Sequence, residues 1–142
     1  MRVLADSSVL VAALIEAHPH YERAAPTLDR AAAGEITLLV AAHALAETYA
    51  TLTAIRPQLA PAGVIELLHE GALRFAETVA LNADDYRAVL NRVASLGLVS
   101  GAVYDALHVR AAEKAGAAEL VTFNGRDFRR MPPAAPCRLI VL

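Results

Sequence analysis

The chain has 142 residues, the usual size of one domain, so we expect residues 1–142 to form a single domain around one core. Apolar residues make up 56% of the sequence but aromatic residues only 5%, so Ala, Val, Leu and Ile must build that core, a mixture that suits helices packed on a buried sheet. The net charge of −2 argues against a protein that binds nucleic acid through bulk positive charge.

The N-terminal segment superficially resembles a signal peptide, because an apolar stretch runs from residue 3 to residue 15. Polar residues at positions 6 to 8 interrupt this stretch, and a membrane span needs about 20 apolar residues, so we expect neither secretion nor a transmembrane helix. The single cysteine, Cys137, can form no internal disulfide and fits a reducing compartment. We therefore expect a cytoplasmic protein.

Short apolar runs alternate along the chain with stretches of helical spacing. In chain order the sequence predicts a strand at 2–5, helices at 9–14 and 19–33, a strand at 36–40, helices at 42–55 and 62–73, a strand at 75–81, helices at 83–96 and 102–115, a strand at 119–122, a turn at 124–125 and a strand at 138–142. This alternation predicts an α/β fold with a mostly parallel sheet of four to five strands, covered by helices on both faces.

Glycines and capping residues mark the predicted ends of these helices. Gly34, Gly97 and Gly116 each follow a predicted helix, at the position where a left-handed residue commonly ends it. Asn82 and Ser100 precede predicted helices, and we expect each to cap its helix through the side chain.

Four acidic residues occupy positions that a parallel sheet would bring to one edge. Asp6 directly follows the first predicted strand, and Asp127 lies a few residues after the fourth. Glu47 and Asp105 lie in the first turns of helices. Because ligands of open parallel sheets bind beyond the carboxyl ends of the strands, these positions predict a functional site.

Glu47 and Asp105 lie in otherwise apolar sequence, where a buried carboxylate requires a partner. His43 is the only residue with basic character within helical reach of Glu47, so a local ion pair does not explain this acid. Two carboxylates about 4 Å apart repel by about 4 kcal/mol at an effective dielectric constant of about 20. A hard divalent cation, Mg²⁺ or Mn²⁺, is the natural means of neutralising four converging acids.

Each acid also has an ordinary structural interpretation. Asp6 could cap a helix, and Glu47 could be a buried acid with a partner from elsewhere in the chain. Asp105 could be a charge at the start of a helix that the helix dipole stabilises, and Asp127 could form a turn. Because aspartate is common in turns, Asp127 has the weakest support of the four as a member of the functional site.

The segments around these four acids resemble the motifs of a known family. The segments Asp6–Leu10, Tyr104–His108 and Thr122–Phe128, together with Glu47 in a mid-chain helix, resemble the acidic motifs of PIN-domain ribonucleases, in particular VapC-type toxins of toxin–antitoxin pairs. The similarity runs in matching order and spacing from residue 2 to about residue 128.

The resemblance implies a three-layer α/β/α fold, Mg²⁺ or Mn²⁺ at the acidic centre, and endoribonuclease activity restrained by an antitoxin. It implies that Asp6 and Asp105 are the principal metal ligands and that Glu47 and Asp127 complete the site, directly or through water. Ser8 is expected to form a hydrogen bond within the site.

Some members of the resembling family carry a further acid two or three places before the final Asp, where this chain has Asn124. Whether one or two metal ions bind therefore stays open. Arg126, Arg129 and Arg130 follow the last motif, and Arg supplies twelve of the thirteen basic residues. The planar guanidinium group of arginine can form two hydrogen bonds with one phosphate, so these three residues are candidates for RNA contact. The alternative is that they belong to an ordinary solvated loop.

The segment from residue 52 to residue 73 is more apolar than is usual for a helical hairpin at the periphery of a domain. It either packs on the core of this chain or, as the resemblance implies, helps to accept an antitoxin segment in an apolar groove. Members of the family also commonly form homodimers.

Two other functions fit parts of the sequence. A phosphatase could use Asp6 as a covalent nucleophile, but such a site usually needs a second nearby acid and a lysine, and the only lysine is Lys114. A noncatalytic PIN-like domain could bind RNA or protein without cutting, although retention of all four acids argues against this.

Overall fold

The computed structural model describes all 142 residues and contains five strands and seven α-helices. The strands are β1 (Arg2–Ala5), β2 (Thr37–Ala41), β3 (Ala76–Val79), β4 (Glu119–Thr122) and β5 (Arg138–Val141). The helices are α1 (Ser7–Leu14), α2 (Tyr21–Ala32), α3 (Ala42–Ala54), α4 (Pro61–Gly71), α5 (Ala83–Ser95), α6 (Ala102–Lys114) and α7 (Gly125–Phe128), and one 3₁₀ turn precedes β3. The strands form one sheet, entirely parallel, in the order β3-β2-β1-β4-β5.

The chain winds outward from β1 to β2 and β3, then crosses back to add β4 and β5 on the other side of β1. Because parallel crossovers are right-handed, the reversal of direction places α1 to α4 on one face of the sheet and α5 to α7 on the other. The predicted α/β/α architecture with a parallel sheet is therefore confirmed, with five strands.

The central strands are buried on both faces, as a parallel sheet requires. Residues 3–5 of β1 and 38–41 of β2 are all buried and belong to the main core, which is made almost wholly of Ala, Val, Leu and Ile. Small side chains let α1 and α6 lie close to the sheet. This packing holds the carboxyl ends of β1 and β4 side by side, with Ala5 paired to Val121.

Most predicted ends of helices are confirmed. Gly34, Gly97 and Gly116 all have positive φ after their helices. Asn82 caps α5 by accepting a hydrogen bond from the backbone N–H of Asp85, whose carboxylate in turn accepts one from the backbone N–H of Asn82. This reciprocal pair is a capping box.

Two local predictions are wrong. Ser100 does not cap α6, because its φ of 54° turns the chain before the helix begins, and Gly101 occupies the N-cap position without a side-chain hydrogen bond. Residues 124 and 125 do not form a simple turn, because Gly125 begins the short helix α7. The backbone N–H groups of Asp127 and Phe128 donate to the carbonyl of Asn124, and the buried ring of Phe128 anchors this helical turn in the core.

The hairpin of α3 and α4 packs largely on its own chain. Leu52, Val64 and Leu68 form a small buried cluster with Val11 of α1, while Ile65 remains 49% exposed. No helix of the protein combines the length and hydropathy that a membrane-spanning segment requires.

Candidate active site

Asp6 lies at the point where the strand order reverses, between β1 and β4. It is the N-cap of α1, and its Oδ1 accepts hydrogen bonds from the backbone N–H of Val9 at 3.0 Å and from Ser8 Oγ at 2.6 Å. Its Oδ2 accepts from Thr122 Oγ1 at 2.6 Å. The side chain is only 2% exposed. Asp6 is thus a helix cap, as one interpretation held, and also a carboxylate of fixed orientation at the carboxyl edge of the sheet.

Two hydroxyl groups connect Asp6 to the end of β4. The backbone N–H of Phe123 donates to Ser8 Oγ at 3.2 Å, and that of Asn124 donates to Thr122 Oγ1 at 2.8 Å. Each hydroxyl accepts one backbone hydrogen bond and donates its proton to Asp6. This arrangement holds the loop after β4 against the acid.

Glu47 has three close partners, which corrects the expectation that no local partner explains it. Ser7 Oγ donates to Oε2 at 2.7 Å, while Nε2 of His43 and Nε2 of His108 lie 3.1 Å and 3.6 Å from Oε1. Burial alone would raise the pKa of Glu47, but the contacts with His108, His43 and Ser7 outweigh it and hold the pKa well below its usual range. The sequence could not show the approach of His108, because α6 meets α3 only in the folded chain.

Asp105 shows that the four acids share one electrostatic environment. Burial is the main cause that raises its pKa to about 6, and the negative charges of Asp127, Asp6 and Glu47 raise it further. The neighbouring His108 opposes this shift. Each of these three carboxylates therefore lies close enough to Asp105 to disfavour its charged form.

Asp127, in α7, is the most open of the acids, with 42% of its side chain exposed. With Asp105 it lines a cavity of about 340 Å³ whose wall also includes Arg130. Arg130 Nη1 and Arg126 Nε lie 3.9 Å and 3.8 Å from Asp127 Oδ1. Arg126 otherwise extends into solvent, and Arg129 is exposed without an ion-pair partner. The structure therefore brings only Arg130 into the cavity beside the acids.

A second cavity, of about 460 Å³, opens beside Ser7 and Ser8. These are the serines that donate to Glu47 and Asp6, so the two cavities together reach all four acids, two directly and two through a hydroxyl. Asn124 lines the second cavity, as does the ring of Phe123, on which His20 stacks with a centroid distance of 4.8 Å.

Sequence reasoning did not identify Thr122, His43 or His108 as members of this site. A weak signal existed for each of them. Thr122 is the last residue of a buried strand, His43 precedes Glu47 by one helical turn, and His108 follows Asp105 by three residues.

The residues at the centre suit a hard divalent cation. Burial and the nearby carboxylates of Asp127, Asp6 and Glu47 destabilise the charged form of Asp105. A cation would relieve this destabilisation, and carboxylate oxygens are the ligands that Mg²⁺ and Mn²⁺ prefer.

The chain is similar to known proteins in sequence and in fold. The sequence matches the PIN domain family over residues 3–132. Over 126 residues it is 36% identical to ribonuclease VapC40 of Mycobacterium tuberculosis, covering 87% of this chain and 85% of that protein. The fold is similar to that of the Sarcin-Ricin loop cleaving toxin VapC20 of M. tuberculosis, with a TM-score of 0.71, 15% identity and coverage of 91% and 95% of the two chains. It is also similar to that of VapBC2 from Rickettsia felis bound to a DNA fragment from their promoter, with a TM-score of 0.68, 20% identity and coverage of 98% of both chains.

Proposed function

The chain belongs to the PIN-domain family as a ribonuclease of the VapC type, and we propose that it is the toxin of a VapBC-type pair, with an active site formed by Asp6, Glu47, Asp105 and Asp127. The observation that carries this assignment of residues is geometric: Asp105 and Asp127 line one cavity, and the serines that donate to Glu47 and Asp6 line a second one. Acids placed as helix caps and turn residues for structural reasons alone would have no cause to meet.

In this proposal Asp105 and Asp127, which face the open cavity, hold Mg²⁺ or Mn²⁺ together with Asp6 and Glu47. A cation bound there would supply positive charge for a phosphate oxygen and would activate water for hydrolysis. Asn124 leaves the second acidic position of some relatives unfilled, so we propose that one ion is sufficient.

The protein's own groups prepare the site for a phosphodiester. Ser8 and Thr122 fix both oxygens of Asp6, so this carboxylate needs no reorganisation when substrate binds. Arg130 lines the same cavity as Asp105 and Asp127 and can contact a phosphate of the RNA. Arg126 and Arg129 lie outside this cavity and are candidates for contact with more distant phosphates of the same RNA.

The proposed partners are RNA as substrate, a cognate antitoxin and a second copy of the chain. The hairpin of α3 and α4 leaves Tyr49 and Ile65 exposed, which favours this hairpin as a contact for an amphipathic antitoxin helix. Exposed Leu96, Val99 and Tyr104, which extend from the end of α5 to the first turn of α6, favour that surface for the homodimer. The compartment that the sequence favours for these encounters is the cytoplasm.

The test is RNA cleavage by the purified protein with Mg²⁺ or Mn²⁺, with EDTA, and by Asp6→Asn. Asn caps helices as well as Asp does, so this variant removes the charge while keeping the start of α1. Asp84→Asn is the matched control, because Asp84 is an exposed acid at the beginning of α5. We expect cleavage to require the metal and to fall by at least about a hundredfold in Asp6→Asn alone, the loss typical of a removed catalytic group. Cleavage by Asp6→Asn at the wild-type rate would overturn the proposed mechanism, and RNA binding without cleavage by the wild-type protein would favour a noncatalytic domain.

A further inference from the structure

Two histidines from different helices meet a single oxygen of Glu47. His43 lies one turn before Glu47 on α3, and His108 reaches it from α6. Their ligand atoms and Oε1 all lie within 4.8 Å of one another. We propose that His43, Glu47 and His108 form a second cation site, distinct from the proposed Mg²⁺ site, for a borderline transition-metal ion such as Zn²⁺.

The spacing of the three atoms suits an ion between them. In a tetrahedral zinc site with bonds of about 2.0–2.1 Å, adjacent ligand atoms are about 3.3 Å apart. Here Nε2 of His43 and Nε2 of His108 lie 3.1 Å and 3.6 Å from Oε1 of Glu47. The two imidazole rings are tilted by 55° with centroids 4.2 Å apart, so they are neither stacked flat nor separated by other side chains. Little rearrangement is needed for all three atoms to coordinate one ion.

Unpartnered polar atoms are concentrated at this cluster. Every buried side-chain nitrogen or oxygen in the protein that lacks a hydrogen-bond partner belongs to His43, Glu47, Thr48 or His108. His108 is only 2% exposed, so solvent does not compensate its ring nitrogens. A buried polar group without a partner costs roughly 1–3 kcal/mol, and such a concentration needs an explanation.

A direct hydrogen bond does not supply that explanation. Although Nε2 of His43 is 3.1 Å from Oε1 of Glu47, the geometry of this contact is not that of a hydrogen bond, and Oε1 accepts none. Ligands of one ion point at the ion and not at one another. The off-axis approach of the ring therefore favours a shared ion.

The type of ligand determines which ion fits. Two imidazole nitrogens and one carboxylate oxygen are a ligand set of catalytic zinc sites, and imidazole suits Zn²⁺, Ni²⁺, Co²⁺ and Cu²⁺ far better than Mg²⁺. The fourth position would be filled by water. Glu47 would be shared between the two sites, since its Oε1 faces the histidines while its Oε2 accepts from Ser7.

The test measures metal binding to the full chain without RNA, so it does not depend on the proposed nuclease activity. Zn²⁺ is titrated into metal-free protein by calorimetry, and Co²⁺ is used as a probe because its visible absorption reports four-coordinate nitrogen and oxygen ligation. We expect one Zn²⁺ to bind tightly in the presence of excess Mg²⁺. Binding in His43→Gln and in His108→Gln should be weaker by about tenfold or more, since loss of even an outer partner of a zinc ligand costs about that much.

Two controls locate the site. His69→Gln removes an exposed histidine of α4 and should leave Zn²⁺ affinity unchanged. Asp105→Asn removes an acid of the proposed active site and should weaken Mg²⁺ binding more than Zn²⁺ binding. His108 is buried, so thermal unfolding without metal checks that its variant folds, and if it does not, His43→Gln alone decides the question.

The proposal is overturned if wild-type protein binds no Zn²⁺ when Mg²⁺ is in excess, because the histidines would then only be hydrogen-bonded or bridged by water. It is equally overturned if Zn²⁺ binds with the same affinity to a folded His43→Gln protein, because the ion would then use the acidic centre alone. Loss of the Co²⁺ absorption in the histidine variants, with its retention in Asp105→Asn, supports the site whatever the result of the RNA assay.

Discussion

Thr122 Oγ1 donates a 2.6 Å hydrogen bond to Asp6 Oδ2, across the junction of β4 and β1 where the strand order reverses. Both side chains are buried, and the same hydroxyl accepts the backbone N–H of Asn124. One hydroxyl therefore orients a proposed metal ligand and also shapes the loop that leads to Asp127.

Replacement Thr122→Val keeps the shape of the side chain but removes this hydroxyl. The change leaves the buried Oδ2 of Asp6 without this donor and removes the acceptor of the Asn124 N–H, so we expect the free energy of unfolding to fall by about 1–3 kcal/mol. Urea unfolding measures this. The matched control is Thr78→Val on the exposed face of β3, which should change stability by no more than about 0.5 kcal/mol. Equal effects of the two substitutions would contradict the role given to Thr122.

The raised pKa of Asp105 predicts a pH-dependent gain in stability for Asp105→Asn. The unfolded carboxyl titrates near 3.8 and the folded one near 6, so between these values the folded state binds more protons and wild-type stability falls as the pH rises. Asn is never charged and avoids this loss. In EDTA we expect the variant to be more stable than wild type by on the order of 1 kcal/mol at pH 7, allowing for solvent screening of this half-buried group, and no more stable at pH 3.5.

Urea unfolding of both proteins at several values of pH between 3.5 and 7 checks this prediction. A stability difference that does not change across this range would show that the negative charge of Asp105 is not unfavourable in the folded state. Addition of Mg²⁺ should reduce the advantage of the variant, because the cation stabilises the charged carboxylate of the wild type only.

Arg130→Gln is expected to weaken RNA cleavage through loss of a phosphate contact. Arg130 lines the cavity that Asp105 and Asp127 share, so we expect kcat/KM to fall by about tenfold, or about 1.4 kcal/mol, mainly through KM. Steady-state cleavage of a short RNA measures both parameters at two salt concentrations. Arg87→Gln, an exposed arginine of α5 paired with Asp84, is the control and should cleave like wild type. An unchanged kcat/KM in Arg130→Gln would show that Arg130 makes no important contact with the RNA.

Gly125 begins α7 in close contact with the end of β5. A Cβ atom at this position would lie 2.7 Å and 2.8 Å from the two Cγ atoms of Val141, so Gly125→Ala should force α7 and β5 apart. Overpacking of this kind costs about 1–3 kcal/mol of unfolding free energy, and displacement of Asp127 should also reduce cleavage. The double variant Gly125→Ala with Val141→Ala should recover most of both losses. Failure of that rescue in thermal unfolding and in the RNA assay would mean that contact with Val141 is not the cause.

The order of helices and strands was predictable because hydrophobic periodicity and the residues that begin or end helices are local properties of the chain. Alternation of strands and helices, glycines with positive φ and the capping box at Asn82 all depend on neighbours within a few residues. Ser100 and Asn124 show the limit of such reasoning, because in both places packing of the following segment selected a backbone that local preference did not favour.

The sequence by itself determined the parallel α/β fold and the placement of four acids after strands or at the beginnings of helices, since strand ends in a parallel sheet share one edge. Only the tertiary structure decided what each acid touches. Thr122 reaches Asp6 because β4 pairs with β1, and His108 reaches Glu47 because α3 and α6 both contact β2, from opposite faces of the sheet. These contacts join residues that are 116 and 61 positions apart, and no local pattern encodes such distances; they arise from how the buried faces of helices and strands fit together.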